Sequence, residues 1–169
     1  MVSYMDQIKR QFEPFHPADN PERILGVVAR GTDFKYGGFD SPCPAEDAAY
    51  IELIKKKMRE WNCTSIFLAT EDADILEHFK QADFDGQIYF IDQNRYQYPN
   101  PDQPGILIAN LKKDTQDYHD EMPYLAVLYL LAACVSLISN CRCGAYIVTD
   151  YINGGMYEHC YCCGEGESK

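Results

Sequence analysis

The sequence predicts an α/β fold, a three-layer α/β/α sandwich around a mainly parallel sheet of about five strands. Two observations predict it. Short apolar runs recur at 24–29, 64–70, 87–91 and 135–139, and runs that are apolar throughout are typical of strands buried on both faces. Helical stretches separate these runs at regular spacing, which favours parallel strands joined by right-handed crossovers.

Four helices are expected to cover the two faces of this sheet. They are predicted at 44–61, 73–82, 120–133 and 144–153. The first begins near Pro44, a residue suited to the first helical position, and it has acidic Asp47 near its start and basic Arg59 near its end, as the helix dipole favours. Gly154 is placed to end the last helix.

Length and composition indicate one globular domain. The chain has 169 residues and a mass of 19.4 kDa, with 46% apolar and 24% charged residues, all in the usual range. We divide it into an N-terminal helix and connector (1–22), an α/β domain (23–157) and a Cys-rich tail (158–169). Within the domain, the polar stretch 92–120 has the character of a functional loop or insertion, with one further short strand expected at 105–109.

The charge of the chain excludes a general nucleic-acid binder. A net charge of −11 and an isoelectric point near 4.7 oppose contact with a phosphate backbone, so any phosphate contact is expected at one small site. The most apolar run, 124–139, is shorter than the about 20 residues of a membrane helix, and no secretory signal is visible. We therefore expect a cytoplasmic protein whose eight cysteines are thiols or metal ligands.

Candidate site residues follow three of the predicted strands. Arg30, Gly31 and Asp33 come directly after the first strand. An arginine there can bind a phosphate with two parallel hydrogen bonds, and glycine lets a ligand approach the backbone. The alternative is an Arg–Asp pair that only closes the strand. Ligands of open α/β sheets bind beyond the carboxyl ends of strands, so this edge of the sheet is where we expect a site.

The other two segments are expected at the same edge. Thr70, Glu71 and Asp72 precede the second helix, where they serve as a cap, as ligand contacts, or as both. The segment 141–144, with Arg142, Cys143 and Gly144, forms a turn into the fourth helix, and free backbone N–H groups at such a turn attract anions.

The cysteines support a competing interpretation. Two Cys-x-Cys pairs, at 141–143 and 160–162, together with His159 and Cys163 offer six soft ligands, from which a zinc site could be built. The spacing is narrower than in the usual zinc motifs. We expect Cys43, Cys63 and Cys134 to be small core residues.

The ordered set of motifs resembles a known enzyme family. It consists of an apolar strand ending in RGTD, then IFLATED, then a YLxxxYLLxxCxxLI run and finally NGGxY, and it spans roughly residues 23 to 157. This order resembles the donor-binding, Rossmann-like half of fucosyltransferase-like glycosyltransferases of the α-1,6-fucosyltransferase and nodulation type. The resemblance implies one half of a GT-B fold and metal-independent, inverting transfer of fucose from GDP-fucose, without a cofactor.

The resemblance also implies roles for the site residues. Arg30 matches the arginine that binds the β-phosphate of the donor, and Asp33 matches the acidic residue that steadies its loop. Thr70, Glu71 and Asp72 match a turn that lines the nucleotide site, and Cys143 and Gly144 match a phosphate-binding turn. Asp40 is our candidate base.

The resemblance leaves the partners and the activity open. The expected partners are a nucleotide-sugar donor and an acceptor glycan, with an acceptor-binding domain that this chain lacks. A non-catalytic nucleotide-sugar-binding module or a protein-interaction module, with or without zinc, stays an alternative.

Overall fold

Six strands form one sheet in the computed structural model, which describes residues 21–31, 46–93, 95 and 121–168 and the single positions 6 and 10. The strands are β1 (Ile24–Val28), β2 (Ser65–Ala69), β3 (Ile88–Tyr89), β4 (Ser136–Ser139), β5 (Cys160–Cys162) and β6 (Gly166–Glu167). Their order across the sheet is β3-β2-β1-β4-β5-β6. The first five are parallel and β6 is antiparallel to β5, so the predicted mainly parallel sheet is confirmed.

Four helices in the described part of the chain connect or flank the strands. They are α1 (Asp47–Glu60), α2 (Ala73–Gln81), α3 (Glu121–Ala132) and α4 (Gly144–Asn153). All four lie where the sequence predicts them. Gly154 ends α4 in the left-handed conformation with a φ of 67°, a conformation that glycine adopts at little cost. No helix of the described ranges is both long and apolar enough to cross a membrane.

The helices cover both faces of the sheet and make three layers. Ile24 and Val28 of β1 pack in one apolar cluster with α3, whereas Leu25 and Val27, which alternate with them, pack in a second cluster with α1 and α2. Because successive side chains of a strand point to opposite faces, a strand covered on both faces must be apolar throughout. The predicted α/β/α sandwich, a Rossmann-like arrangement, is confirmed.

The Cys-rich segment at the end of the chain contributes to this sheet. Its strand β5 pairs with β4, and the side chains of Cys160 and Cys162 are buried. Backbone bonds from Leu137 N to His159 O (2.9 Å) and from Cys163 N to Ser139 O (3.0 Å) hold the pairing. We predicted a separate tail here because three residues, Cys-Tyr-Cys, are too few to be recognised as a strand, and their spacing resembles that of metal ligands. The expected strand at 105–109 and most of 1–22 lie outside the described residues.

The strand order reverses next to β1. From β1 the chain builds outward through β2 to β3, and it then returns to build the other side through β4 and β5. The carboxyl ends of β1 and β4 therefore border a topological switch point, the place where open α/β sheets bind their ligands. Arg30 and Asn140 lie at these two ends.

Candidate functional site

Arg30 is held at the end of β1 by a side chain from the end of β4. The Arg30 backbone N–H donates to Asn140 Oδ1 at 2.9 Å, and Asn140 Nδ2 donates back to the Arg30 carbonyl at 2.7 Å. Asn140 N also donates to the Val28 carbonyl at 3.1 Å. Asn140 is buried, so these bonds form away from competing water. The backbone that carries Arg30 is thereby fixed to both central strands.

Glu71 fixes the guanidinium. Its carboxylate contacts Arg30 Nη1 at 3.2 Å through one oxygen and accepts the Gly31 backbone N–H at 3.1 Å through the other. The Arg30 side chain is 23% exposed, so part of it faces solvent. We expected Asp33 to hold or steady Arg30. Asp33 lies outside the described residues, so that prediction stays untested; among the described residues, Glu71 contacts the guanidinium.

Asp72 caps α2. Its carboxylate accepts the backbone N–H groups of Asp74 at 2.9 Å and Ile75 at 3.1 Å, and its own N–H donates to Thr70 Oγ1 at 3.2 Å. Both Thr70 and Asp72 are buried. The structure therefore confirms the capping interpretation of this turn, and it places Glu71, between the two, against Arg30.

This cap gives a stability prediction. Asp72→Ala removes the acceptor for two N–H groups at the start of α2, so we expect the free energy of unfolding to fall by about 1 kcal/mol. Urea denaturation followed by circular dichroism measures the change. Glu77→Ala is the control, because Glu77 is exposed in α2 and its ion pair with Lys80 is of the surface kind that contributes little. Equal losses in the two variants would contradict the cap.

Cys143 occupies the N-cap of α4. Its side chain makes no capping hydrogen bond, but its surroundings favour the thiolate. A hydrogen bond from the Cys141 thiol lowers the pKa of Cys143 from 9.0 to about 6 against the opposing effect of burial, and the amides of Tyr146 and Ala145 and the charge of Arg30 act in the same direction. The charge of Arg30 and the N–H groups at the start of α4 therefore both stabilise the thiolate of Cys143.

The start of α4 is open. Gly144 is exposed, and a Cβ built on it would have no heavy atom within 4 Å. The first N–H groups of a helix have no partner within it, and together with the helix dipole they attract anions. Two of these N–H groups here already favour the thiolate of Cys143. Arg142, which we also expected here, instead forms an exposed ion pair with Glu165 at 2.7 Å.

Comparisons with known proteins bear on the fold. No family model matches this sequence, and no curated protein matches it either. The fold is similar to that of POFUT1. A crystal structure of POFUT1, a GDP-fucose protein O-fucosyltransferase, in complex with GDP superposes with a TM-score of 0.51 at 12% identity. The match covers 94% of this chain and 46% of the POFUT1 chain, so this chain spans about half the length of POFUT1.

The likeness to POFUT1 supports a fucosyltransferase-like fold. At this identity it says nothing about individual residues. The positions of Arg30, Gly31, Glu71, Asp72 and Cys143 around one sheet edge are therefore taken from the structure of this chain. Asp40, the candidate base, lies outside the described residues.

Two residues of this edge were assigned no role from the sequence. Asn140 directly follows β4 within a segment that the sequence places at this edge, so the rule that singled out Arg30 after β1 could have given it one. Tyr124, from the first turn of α3, lies near Arg30, Glu71 and Cys143. The pKa of Tyr124 is raised, and burial is the largest cause. The negative charges of Cys143 and Glu71 raise this pKa further, whereas the positive charge of Arg30 lowers it. No signal in the sequence marked Tyr124, because it begins the apolar run 124–139 and resembles a core residue of the helix.

The described residues contain no cluster that could serve as the zinc site considered above. No group of three or more His, Cys, Asp or Glu side chains in these ranges is arranged to hold a metal ion. Cys160 and Cys162 lie inside β5, where strand pairing fixes their side chains in the core.

Proposed function

We propose that this chain is the donor-binding domain of a fucosyltransferase-like glycosyltransferase and that it binds GDP-fucose. The observation that carries the proposal is the meeting of Arg30 with the open start of α4 at the switch point of the sheet. A guanidinium binds phosphate oxygens with two parallel hydrogen bonds, and a helix N-terminus attracts them with its N–H groups and its dipole. The likeness to the POFUT1 fold supports this assignment.

The site is suited to stabilising a leaving group. In an inverting transfer, an acceptor hydroxyl attacks the anomeric carbon of fucose while the bond to the β-phosphate of GDP breaks. Arg30, held by Glu71 and Asn140, offers its guanidinium to the negative charge that develops on that phosphate. The sequence suggested that Gly31 lets the phosphate approach the backbone, but Gly31 is buried, donates its N–H to Glu71 and lies against the N-cap residue of α2. Gly144 leaves the start of α4 open to the phosphate, and that contact does not require a metal ion.

Other parts of the reaction belong to segments beyond the described residues or beyond this chain. We assign the role of base to Asp40, which would take the proton of the acceptor hydroxyl, and we assign to Asp33 a place in the phosphate loop. The acceptor glycan requires a second domain, since the chain spans about half the length of POFUT1. Catalysis is therefore expected only with that domain present.

Calorimetric titration of the chain with GDP and GDP-fucose tests the proposal, with ADP and UDP as controls. We expect GDP and GDP-fucose to bind with micromolar dissociation constants, about 8 kcal/mol, and the controls to bind at least about tenfold more weakly. Affinity should be the same with EDTA as with Mg²⁺. Equal affinity for all four nucleotides, or binding that requires Mg²⁺, would contradict the assignment.

One observation favours the alternative of a protein-interaction module. The outer faces of α3 and α4 expose large apolar side chains, among them Tyr129 at 50%, Tyr151 at 86% and Ile147 at 49%, and Met156 follows at 79%. Contiguous exposed apolar side chains are typical of contact surfaces. Failure of every nucleotide to bind would favour this function, with the apolar face as the contact.

A further inference from the structure

Cys141 and Cys143 form a pair of neighbouring thiols at the end of β4. The Cys143 backbone N–H donates to the Cys141 carbonyl at 3.1 Å, a three-residue turn that brings the two residues close. Ser139 holds this turn, because its Oγ donates to the Cys141 carbonyl at 2.6 Å and accepts the Cys141 N–H at 3.3 Å. The Cys141 thiol, as a hydrogen-bond donor to Cys143, lowers the pKa of Cys143, which agrees with the closeness that the turn gives the two residues.

The surroundings of Cys143 are those of a reactive thiol. Reactive cysteines lie at helix N-termini and beside cationic groups, where the thiolate is favoured. Cys143 has both features, at the N-cap of α4 and within the field of Arg30. The next residue, Gly144, is exposed and has open space at its Cβ position, so the end of the helix beside Cys143 faces solvent, whereas Cys143 itself is 5% exposed.

Other cysteines of the core have the opposite character. Burial raises the pKa of Cys63 to about 11 and that of Cys134 well above 9.0. Their thiols stay protonated at neutral pH and are poor nucleophiles. They provide internal standards of the same chemical group in the same molecule.

We propose that Cys141 and Cys143 are an oxidation site, at which a hydroperoxide converts the two thiols to an intrachain disulfide. The proposal depends on the turn at 141–143 and on the position of Cys143 at the start of α4. It does not require that the chain bind a nucleotide.

The reaction balances in two steps. The Cys143 thiolate attacks one oxygen of hydrogen peroxide, the O–O bond breaks, and the departing hydroxide takes up a proton to leave as water, which gives the sulfenic acid of Cys143. The Cys141 sulfur then gives up its proton and attacks the Cys143 sulfur, and the hydroxyl group leaves as a second water. Two thiols and one peroxide thus become one disulfide and two waters, and a dithiol reductant reverses the change.

Oxidation changes the charge of the candidate site. The disulfide carries no charge, so the negative charge of the Cys143 thiolate is lost from the neighbourhood of Arg30. The redox state of the pair would therefore set the charge at this edge of the sheet.

Peptide mapping of the full chain tests the proposal. The protein is treated with stoichiometric hydrogen peroxide at pH 7, blocked with N-ethylmaleimide and digested with trypsin, which cleaves after Arg142 and separates the two cysteines. We expect a peptide ending at Arg142 to be joined by a disulfide to the peptide that begins at Cys143, and dithiothreitol to separate them. These two peptides also carry Cys134, Cys160, Cys162 and Cys163. Fragmentation of the joined peptides must therefore place the bond between Cys141 and Cys143. Without peroxide, we expect N-ethylmaleimide to label Cys143 about tenfold or more faster than Cys63.

Variants separate the two steps. In Cys141→Ser, no disulfide can form, and we expect dimedone, which reacts with sulfenic acids, to label Cys143. Cys134→Ser is the matched control and should form the disulfide as the wild type does. Circular dichroism before and after treatment reports whether each protein is folded. A folded protein in which Cys143 is labelled no faster than Cys63, or in which peroxide joins Cys143 to a cysteine other than Cys141, would overturn the proposal.

Discussion

Arg30→Ala is expected to weaken GDP binding by about 10- to 100-fold. A hydrogen bond to a charged group contributes about 1.5–3 kcal/mol, and each 1.4 kcal/mol is about tenfold in affinity. Arg30 is the cation that the structure fixes at the switch point, through Asn140 at its backbone and Glu71 at its guanidinium. The loss is measured by the same calorimetric titration as for the wild type.

Two further variants make the Arg30 result specific. Arg59→Ala removes an equal charge from the last turn of α1, at the opposite edge of the sheet, and should bind GDP as the wild type does. Arg30→Lys keeps the charge but loses the two parallel donors of the guanidinium, so its affinity should lie between those of the wild type and Arg30→Ala. If Arg30→Ala is folded and binds GDP with unchanged affinity, Arg30 is not part of a phosphate site.

The central strands and their helices could be predicted because their signals are local. The β1 segment, Ile-Leu-Gly-Val-Val, has no polar residue, and a short run of this kind is typical of a parallel strand covered on both faces. The structure buries it at every position. Gly154 ends α4 by a conformational rule that needs no tertiary information. By contrast, β5 has three residues, and its identity as a strand comes from pairing with β4, a contact that a single sequence does not display.

The candidate site could be predicted as a location and less well as a set of contacts. That Arg30 and Glu71 lie at one edge follows from parallel topology, which gathers the carboxyl ends of strands. Which carboxylate would face Arg30 does not follow from it. The pattern favoured Asp33, which lies outside the described residues, and it did not suggest Glu71 for this role, whose carboxylate contacts Arg30 because β1 and β2 are paired neighbours. Tyr124 reaches the edge only through the packing of α3.

Gly31→Ala is expected to lower the free energy of unfolding by about 2–4 kcal/mol. A Cβ on Gly31 would lie 2.1 Å from Asp72 Oδ2, 2.5 Å from Asp72 Cβ and 2.6 Å from Asp72 Cγ. Forcing atoms into a packed site costs about 1–3 kcal/mol. Moving Asp72 aside also breaks its two bonds at the start of α2, which adds about 1 kcal/mol. Urea denaturation measures the loss, and Gly144→Ala, where the added Cβ meets nothing within 4 Å, should show none.

The clash can be separated from other effects of the extra methyl group. Asp72→Gly removes the atoms that the new Cβ would strike, and glycine replaces aspartate at an N-cap at a cost of only a few tenths of a kcal/mol. If the contact with Asp72 is the cause, the double variant Gly31→Ala/Asp72→Gly should be more stable than Gly31→Ala alone, a coupling that a double-mutant cycle measures directly. Additive losses would instead place the cost in the backbone of Gly31. Recovery in the double variant would show that Gly31 is required because the loop after β1 lies directly against the cap of α2, which is also what brings Glu71 within reach of Arg30.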